Sequence, residues 1–268
     1  MSKFMQWVMA AALICSASVF TACSNDDNPV TLDKNLSEKI IGKWMMADMN
    51  GQPLPTNLKG VFTFTSATQA FISVSSLTHY EAGDLWNLQN EYAVEISGDK
   101  LTLTNRKDEH QTSVYELTVS SINANEMLTD MKITIIADGQ KSSSPEMPIR
   151  LVKVDVDYTQ AIVGLWEGRC TSEGSVFDDG QEHRWEYKAD GTFVYYVKDG
   201  DNRVPSANTL NEYFVDGSLL FTRWVDNGQD NREWWEITIA ADKMNWTALR
   251  QNNDGTTFTA TFEMKKIQ

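Results

Sequence analysis

Apolar and polar residues alternate with a period of two along most of this chain, the pattern of strands with one buried and one solvated face. His183, Trp185 and Tyr187 fall on one face, and Arg184, Glu186 and Lys188 on the other. After a turn at Ala189-Asp190-Gly191, Phe193, Tyr195 and Val197 come back. The final stretch sets Phe258, Ala260, Phe262 and Met264 against Thr259, Thr261, Glu263 and Lys265. Comparable runs at 61–65, 70–75, 91–96, 101–105, 115–119, 131–137, 149–154, 219–224, 235–239 and 244–248 predict further strands. No segment sustains a helical period beyond two turns; residues 36–40 suit a single helical turn. Residues 141–145 and 199–208 read as polar loops, and 79–88 as a loop or broken strand. Short strands at roughly 8–12 residue spacing, with turn residues between them, indicate an all-β sandwich or barrel.

A short phrase organises these strands. Ile40-Ile41-Gly42-Lys43-Trp44 returns 122 positions later as Ile162-Val163-Gly164-Leu165-Trp166. Asn90-Glu91-Tyr92 is echoed by Asn211-Glu212-Tyr213, and Tyr115-Glu116-Leu117-Thr118-Val119 by Trp235-Glu236-Ile237-Thr238-Ile239. Ordered landmarks with slowly drifting offsets are the mark of a tandem duplication with loop drift. The two copies cover 36–154 and 158–268 and carry about eight strands each. Closing each set into an antiparallel barrel abolishes exposed edges. A barrel of that size has room for one small ligand or for a filling of side chains.

The N-terminus reads as an export leader at 1–22: Lys3, an uncharged apolar stretch, then small residues ending Phe20-Thr21-Ala22-Cys23. A small residue before Cys23 resembles the bacterial lipobox, with Phe20 where Leu is usual. The resemblance implies cleavage behind Ala22 and a lipid on Cys23, with 23–35 as a flexible tether. A single acyl chain holds weakly, and the two or three of bacterial lipoproteins hold stably. Ser24-Asn25-Asp26-Asp27 resembles the acidic tag of surface-exposed lipoproteins of the Bacteroidetes. The expected address is therefore the outer membrane, at the cell surface, with the periplasmic face as the alternative.

Ile-Gly-x-Trp on a first strand, followed by a meander of hairpins, resembles the lipocalin-like domains of Bacteroidetes lipoproteins, and Lys188-Ala189-Asp190-Gly191-Thr192-Phe193 is similar to a hairpin turn those domains carry. The resemblance covers both halves and implies two tandem antiparallel lipocalin-like β-barrels after a lipoprotein signal peptide. Gly42 and Gly164 then let the chain bend into each barrel, and Trp44 and Trp166 plug its closed end as structural residues. In lipocalins an Arg from a late strand often covers that Trp, which makes Arg150 and Arg250 candidates.

Charge narrows the partners. The formal net charge is −14, and −15 without the leader, which removes Lys3 and no acid. Nucleic acid, which requires Lys and Arg against phosphate, is excluded as a partner. Of Cys15, Cys23 and Cys170, only Cys170 stays a free thiol after processing; it is expected to be a small buried hydrophobe. The three histidines, His79, His110 and His183, form no metal motif, and no nucleophile elbow or phosphate cradle is present. The 199–202 and 226–231 stretches have calcium-like composition without the spacing of a helix-loop-helix site. No cofactor and no metal are expected.

The remaining signal is aromatic. Six of the nine tryptophans lie in the second copy. Trp234 and Trp235 are adjacent, so they cannot both face inward. Filling of the barrel and a binding surface both fit this richness, and Trp185, Tyr187, Tyr195 and Trp235 are the candidate ligand-binding residues. The leading expectation is a non-enzymatic, membrane-anchored binding lipoprotein for a small apolar molecule, a glycan or a peptide. The alternative is an assembly subunit docked on another envelope protein, its barrels filled by side chains. A hydrolase using Asp178, Asp179 or His183 would need a pocket with convergent polar groups. An open cavity of several hundred cubic ångströms in the second barrel would favour the carrier.

Overall fold

In the computed structural model, residues 35–74, 90–172, 178–252 and 254–267 are described. The expected leader at 1–22, Cys23 with most of its tether, and the whole 79–88 stretch lie outside them. The chain divides into two compact units: one runs up to Leu54 and over Lys59–Val154, the other takes Pro55–Leu58 and continues from Asp155. Among the described residues, no helix is long and apolar enough to cross a membrane.

In the first unit a helical turn, α1 (Leu36–Lys39), leads into β1 (Gly42–Met49), with β2 (Gln52–Pro53) paired back on it. Then follow β3 (Gly60–Ser66), β4 (Gln69–Val74), β5 (Asn90–Ser97), β6 (Lys100–Arg106), β7 (Gln111–Ile122), β8 (Glu126–Ala137), β9 (Gln140–Ser143) and β10 (Met147–Val154). Each long strand pairs antiparallel with the next, and β10 bonds to both β8 and β1. That last pairing closes eight strands into a barrel. Phe62, Phe64, Leu101, Leu103, Leu117 and Val119 are at most 1% exposed. Tyr92 and Tyr115 meet edge to face, with centroids 5.5 Å apart.

The second unit repeats the plan with β11 (Gly164–Cys170), β12 (His183–Tyr187), β13 (Phe193–Asp199), β14 (Asn202–Pro205), β15 (Thr209–Asp216), β16 (Leu219–Asp226), β17 (Gln229–Ala240), β18 (Lys243–Gln251) and β19 (Thr257–Ile267). Its nine strands form one curled sheet with β14 and β15 at the two ends. In the first barrel the β4–β5 seam is zipped from Gln69 opposite Ala93 to Ile72 opposite Asn90. In the second, β14 folds back and occupies the edge of β13, from Tyr196 opposite Pro205 to Asp199 opposite Asn202. Among the described residues, β15 then meets that side through a bridge of Thr192 to Glu212, with the Tyr213 N–H donating to Gly191 O at 2.8 Å and the Tyr213 hydroxyl to Lys188 O at 2.7 Å. The second barrel is therefore split along one wall.

Both copies begin in the same way. The helical turn before each barrel points a carbonyl back at the tryptophan: Trp44 Nε1–H donates to Ile40 O, and Trp166 Nε1–H to Ile162 O, both at 2.6 Å. Each indole is fully buried. The cations over these rings differ from the expected arginines. Lys153 Nζ lies 4.3 Å from the Trp44 centroid and Lys266 Nζ 5.1 Å from that of Trp166. Both lysines sit on the closing strand, where Lys153 is paired with Trp44 and Lys266 with Trp166. Gly42 and Gly164 have φ of +118° and +136°, a region L side chains avoid. A Cβ there would come within 2.6 Å of Lys153 Nζ and 2.5 Å of Lys266 Cε. The glycines thus serve both the bend and the seat of the lysine. Arg150 instead pairs with Asp48 and Glu126. Arg250 lies over Trp235, its Cζ 4.6 Å from the ring centroid.

Two expected loops carry strands. Part of 141–145 belongs to β9, held by the Thr134–Ser143 hydroxyl contact at 2.8 Å and by Ser144 N–H donating to Ile133 O. Part of 199–208 is β14. Polar composition concealed both, because a short edge strand pairs through its backbone and needs no apolar face. The alternation also fails along β16, where Leu219 to Arg223 are all at most 9% exposed. Cys170 is 8% exposed and sits 3.1 Å from the Ser172 hydroxyl.

Candidate functional site

The upper interior of the second barrel holds a cavity of about 300 Å³. Strand pairing builds its wall. Trp185 on β12 is opposite Tyr195 on β13, and Trp246 on β18 is opposite Phe262 on β19. Trp235 on β17 faces in beside them, completing an aromatic corner. Ring centroids are 4.9 Å apart for Trp185–Trp246, 5.3 Å for Trp185–Tyr195 and 5.4 Å for Trp235–Trp246, with tilts of 38–52°. Phe193 and Trp224 also line the space.

Three of the four candidate residues, Trp185, Tyr195 and Trp235, line this cavity. Tyr187 does not. It lies one residue pair deeper at 1% exposure, packed on Phe193 and Tyr213, because the inward face of β12 runs from the cavity down into the core. Of the adjacent pair, Trp235 is 1% exposed and faces in, while the Trp234 carbonyl accepts a hydrogen bond from Arg250.

The polar groups are fewer and mostly engaged. His183 Nε2 lies 3.1 Å from Asp179 Oδ1 and His183 Nδ1 2.9 Å from the Tyr195 hydroxyl. A carboxylate only accepts, so Nε2 carries a proton toward Asp179, while Nδ1 shares a hydrogen bond with the Tyr195 hydroxyl. Desolvation pulls the Asp179 carboxyl up, but hydrogen bonds from Gln181 N–H and His183 outweigh it, and the group is held below the usual aspartate range. Burial, and next Asp179, push the Tyr195 phenol up. The Thr222 hydroxyl donates to Glu233 O at 3.4 Å.

Glu233 is the second acid of the wall. Removal from water pushes its carboxyl up, against the pull of Arg250 and of Trp235 Nε1–H, which donates to it at 3.1 Å. Burial likewise pushes the Arg250 guanidinium down while Glu233 supports its charge. Two other buried groups, the Trp246 N–H and the Tyr187 hydroxyl, have no hydrogen-bond partner among the described residues. Leaving a buried polar group unmet costs about 1–3 kcal/mol. Among the described residues the cavity wall carries two carboxylates and neither lysine nor arginine.

The sequence reading missed Asn208, Thr222, Glu233, Trp246 and Phe262 as wall residues. A signal existed for Glu233: it shares the inward parity of Trp235 and Ile237, and an acid at a core-facing position is a flag for function. Asp179 and His183, singled out for hydrolysis, do meet at the rim; Asp178 does not line the cavity.

No family model matches this chain, and no curated protein does. Several solved structures are similar in fold. One is a protein of unknown function of the DUF3598 family from Nostoc punctiforme: 10% identity, 85% of this chain, 97% of that chain and a TM-score of 0.22. Two are mutants of the vaccine antigen transferrin binding protein B from Haemophilus parasuis. The double mutant shares 11% identity over 78% of this chain and 52% of its own, and the single mutant 10% over 78% and 65%, both with TM-scores of 0.22. The chain thus spans about half to two-thirds of those antigen chains. At likenesses this distant, the strand pairing itself establishes the architecture as two tandem antiparallel barrels, one closed and one split.

Proposed function

We propose that this chain is a non-enzymatic binding protein of the lipocalin-like lipoprotein kind, in which the second barrel carries a small ligand. The observation that carries this reading is the cavity. It has about the smallest volume usual for ligand sites, roughly 300–1,000 Å³, and combines a mainly aromatic wall with a few placed polar groups. The buried Trp246 N–H without an acceptor supports a pocket that is completed from outside the chain.

Binding is favoured over hydrolysis because the described wall is mainly aromatic, the lining usual for a ligand pocket, with few polar groups beside it. The test is a titration of the mature chain with small amphipathic compounds, read through tryptophan fluorescence. Saturable changes that weaken in Trp185→Ala are expected. An absence of any response from compounds small enough to enter would overturn the reading.

Anchoring at the outer membrane through a lipid on Cys23 belongs to the same proposal and rests on the leader sequence. Fatty-acid labelling of cells should mark the protein and be lost in Cys23→Ser. The first barrel fits the docking alternative, because its closed interior is occupied by Phe62, Tyr92, Tyr115 and their neighbours. Crosslinking on intact cells that recovers one fixed envelope partner would assign it that role.

A further inference from the structure

Resting on the carrier reading, the chemistry of the wall narrows the ligand class. We infer that the cavity of the second barrel selects a small organic cation, an amine or quaternary ammonium group seated against Trp185, Trp246 and Tyr195, with Glu233 and Asp179 as counter-charges.

Three observations carry this. First, the formal charges on the described wall are all negative. Arg250, the nearest compensating cation to Glu233, lies over the Trp235 ring and is not part of the cavity lining. Second, Trp185, Tyr195, Trp235 and Trp246 line the cavity side by side as mutually tilted rings, with neighbouring centroids 4.9–5.4 Å apart, and offer a compact group an aromatic wall. Aromatic faces carry negative potential, and a cation within about 6 Å of a ring centroid is attracted, more strongly where water is excluded. Third, few directional hydrogen-bonding groups remain beside Asn208 and the Trp246 N–H. His183 is held by Asp179 and Tyr195, and Thr222 by a backbone carbonyl. A sugar needs several free, directional partners for its hydroxyls. An ammonium group needs a low-dielectric hollow with negative charge at its edge, which is what this wall presents. It would also relieve the desolvated Glu233, whose carboxylate is disfavoured where it stands.

The discriminating experiment uses the mature chain and two isosteric probes: choline, and its uncharged carbon analogue 3,3-dimethylbutan-1-ol, with glucose as a third. Calorimetry and tryptophan fluorescence are read in parallel. Choline is expected to bind about tenfold or more tightly than the neutral isostere, as removal of charge from an aromatic cage predicts. That preference should shrink in Glu233→Gln, and in Asp179→Asn at the more exposed rim should Glu233→Gln fail to fold. Equal or tighter binding of the neutral isostere or of glucose overturns the cation while leaving the carrier standing. Silence from all three probes overturns the cation, and silence from the amphipathic compounds as well overturns the carrier.

Discussion

The ammonium group of Lys266 rests over the buried ring of Trp166, 5.1 Å from its centroid, and the strand pairing that puts it there sets Lys266 directly opposite Trp166. The neighbouring Gly164, at φ +136°, leaves the space this lysine needs. The three residues behave as one device, so their substitutions should couple. Gly164→Ala should cost about 1–3 kcal/mol through the forced backbone alone, with a further part from the collision with Lys266. Lys266→Ala, which loses a cation over a ring, should cost about 0.5–1 kcal/mol. In the double variant the collision vanishes, so the summed effects should exceed the measured one. Urea unfolding of the four proteins checks this, and strict additivity would refute it.

Trp166 also donates to Ile162 O from inside the barrel floor. Trp166→Phe removes that donor and leaves a buried carbonyl unmet, a loss of about 1–3 kcal/mol before any packing change. The same substitution at Trp44 should cost a similar amount, because the bond to Ile40 O has the same length. Differential scanning calorimetry that resolves two transitions would assign each loss to its own unit.

Stability should depend on pH in two opposite senses. The Glu233 carboxyl is raised in the fold, so the folded chain keeps a proton that the unfolded chain has released. Stability from this group therefore falls as pH rises through and above the ordinary carboxylate range. Glu233→Gln should flatten that decline. Asp230 behaves in reverse: desolvation opposes its charge, but Arg232 and Arg223 outweigh it and hold the carboxyl low. Its contribution is present above the ordinary aspartate range and is lost as pH falls through it toward the lowered value. Asp230→Asn should reduce the acid sensitivity by this group's share without touching the alkaline side. Unfolding midpoints over a pH series distinguish the two.

The split wall predicts unequal protection of the two seams. Backbone amides along β15 lie on an edge with one bridge, to Thr192 just before β13, whereas β5 is zipped to β4. Hydrogen exchange should be faster along the first half of β15 than along β5, since local opening there breaks fewer pairings. Exchange at equal rates would mean that the seam closes in solution.

The alternation of apolar residues was enough to establish the all-β class, most of the strands and their duplication, because side-chain direction along a strand repeats every two residues and is carried by local sequence. It also brought Trp185, Tyr195 and Trp235 forward as candidates. It could not tell how deep along an inward face a residue sits, and so Tyr187, which has the right parity, proved to be core. The lysines over Trp44 and Trp166 were invisible for a related reason. Lys153 and Lys266 lie 109 and 100 residues from the rings they cover, and only strand register brings them together. The seam was decided further still from local pattern. Whether β13 pairs with β14 or with β15 turns on which backbone edge arrives first with matched hydrogen bonds, and backbone edges look alike in every sequence. The residues alone thus settled which faces are buried, while the cavity, its acids and its split wall arose only when distant strands closed around a common centre.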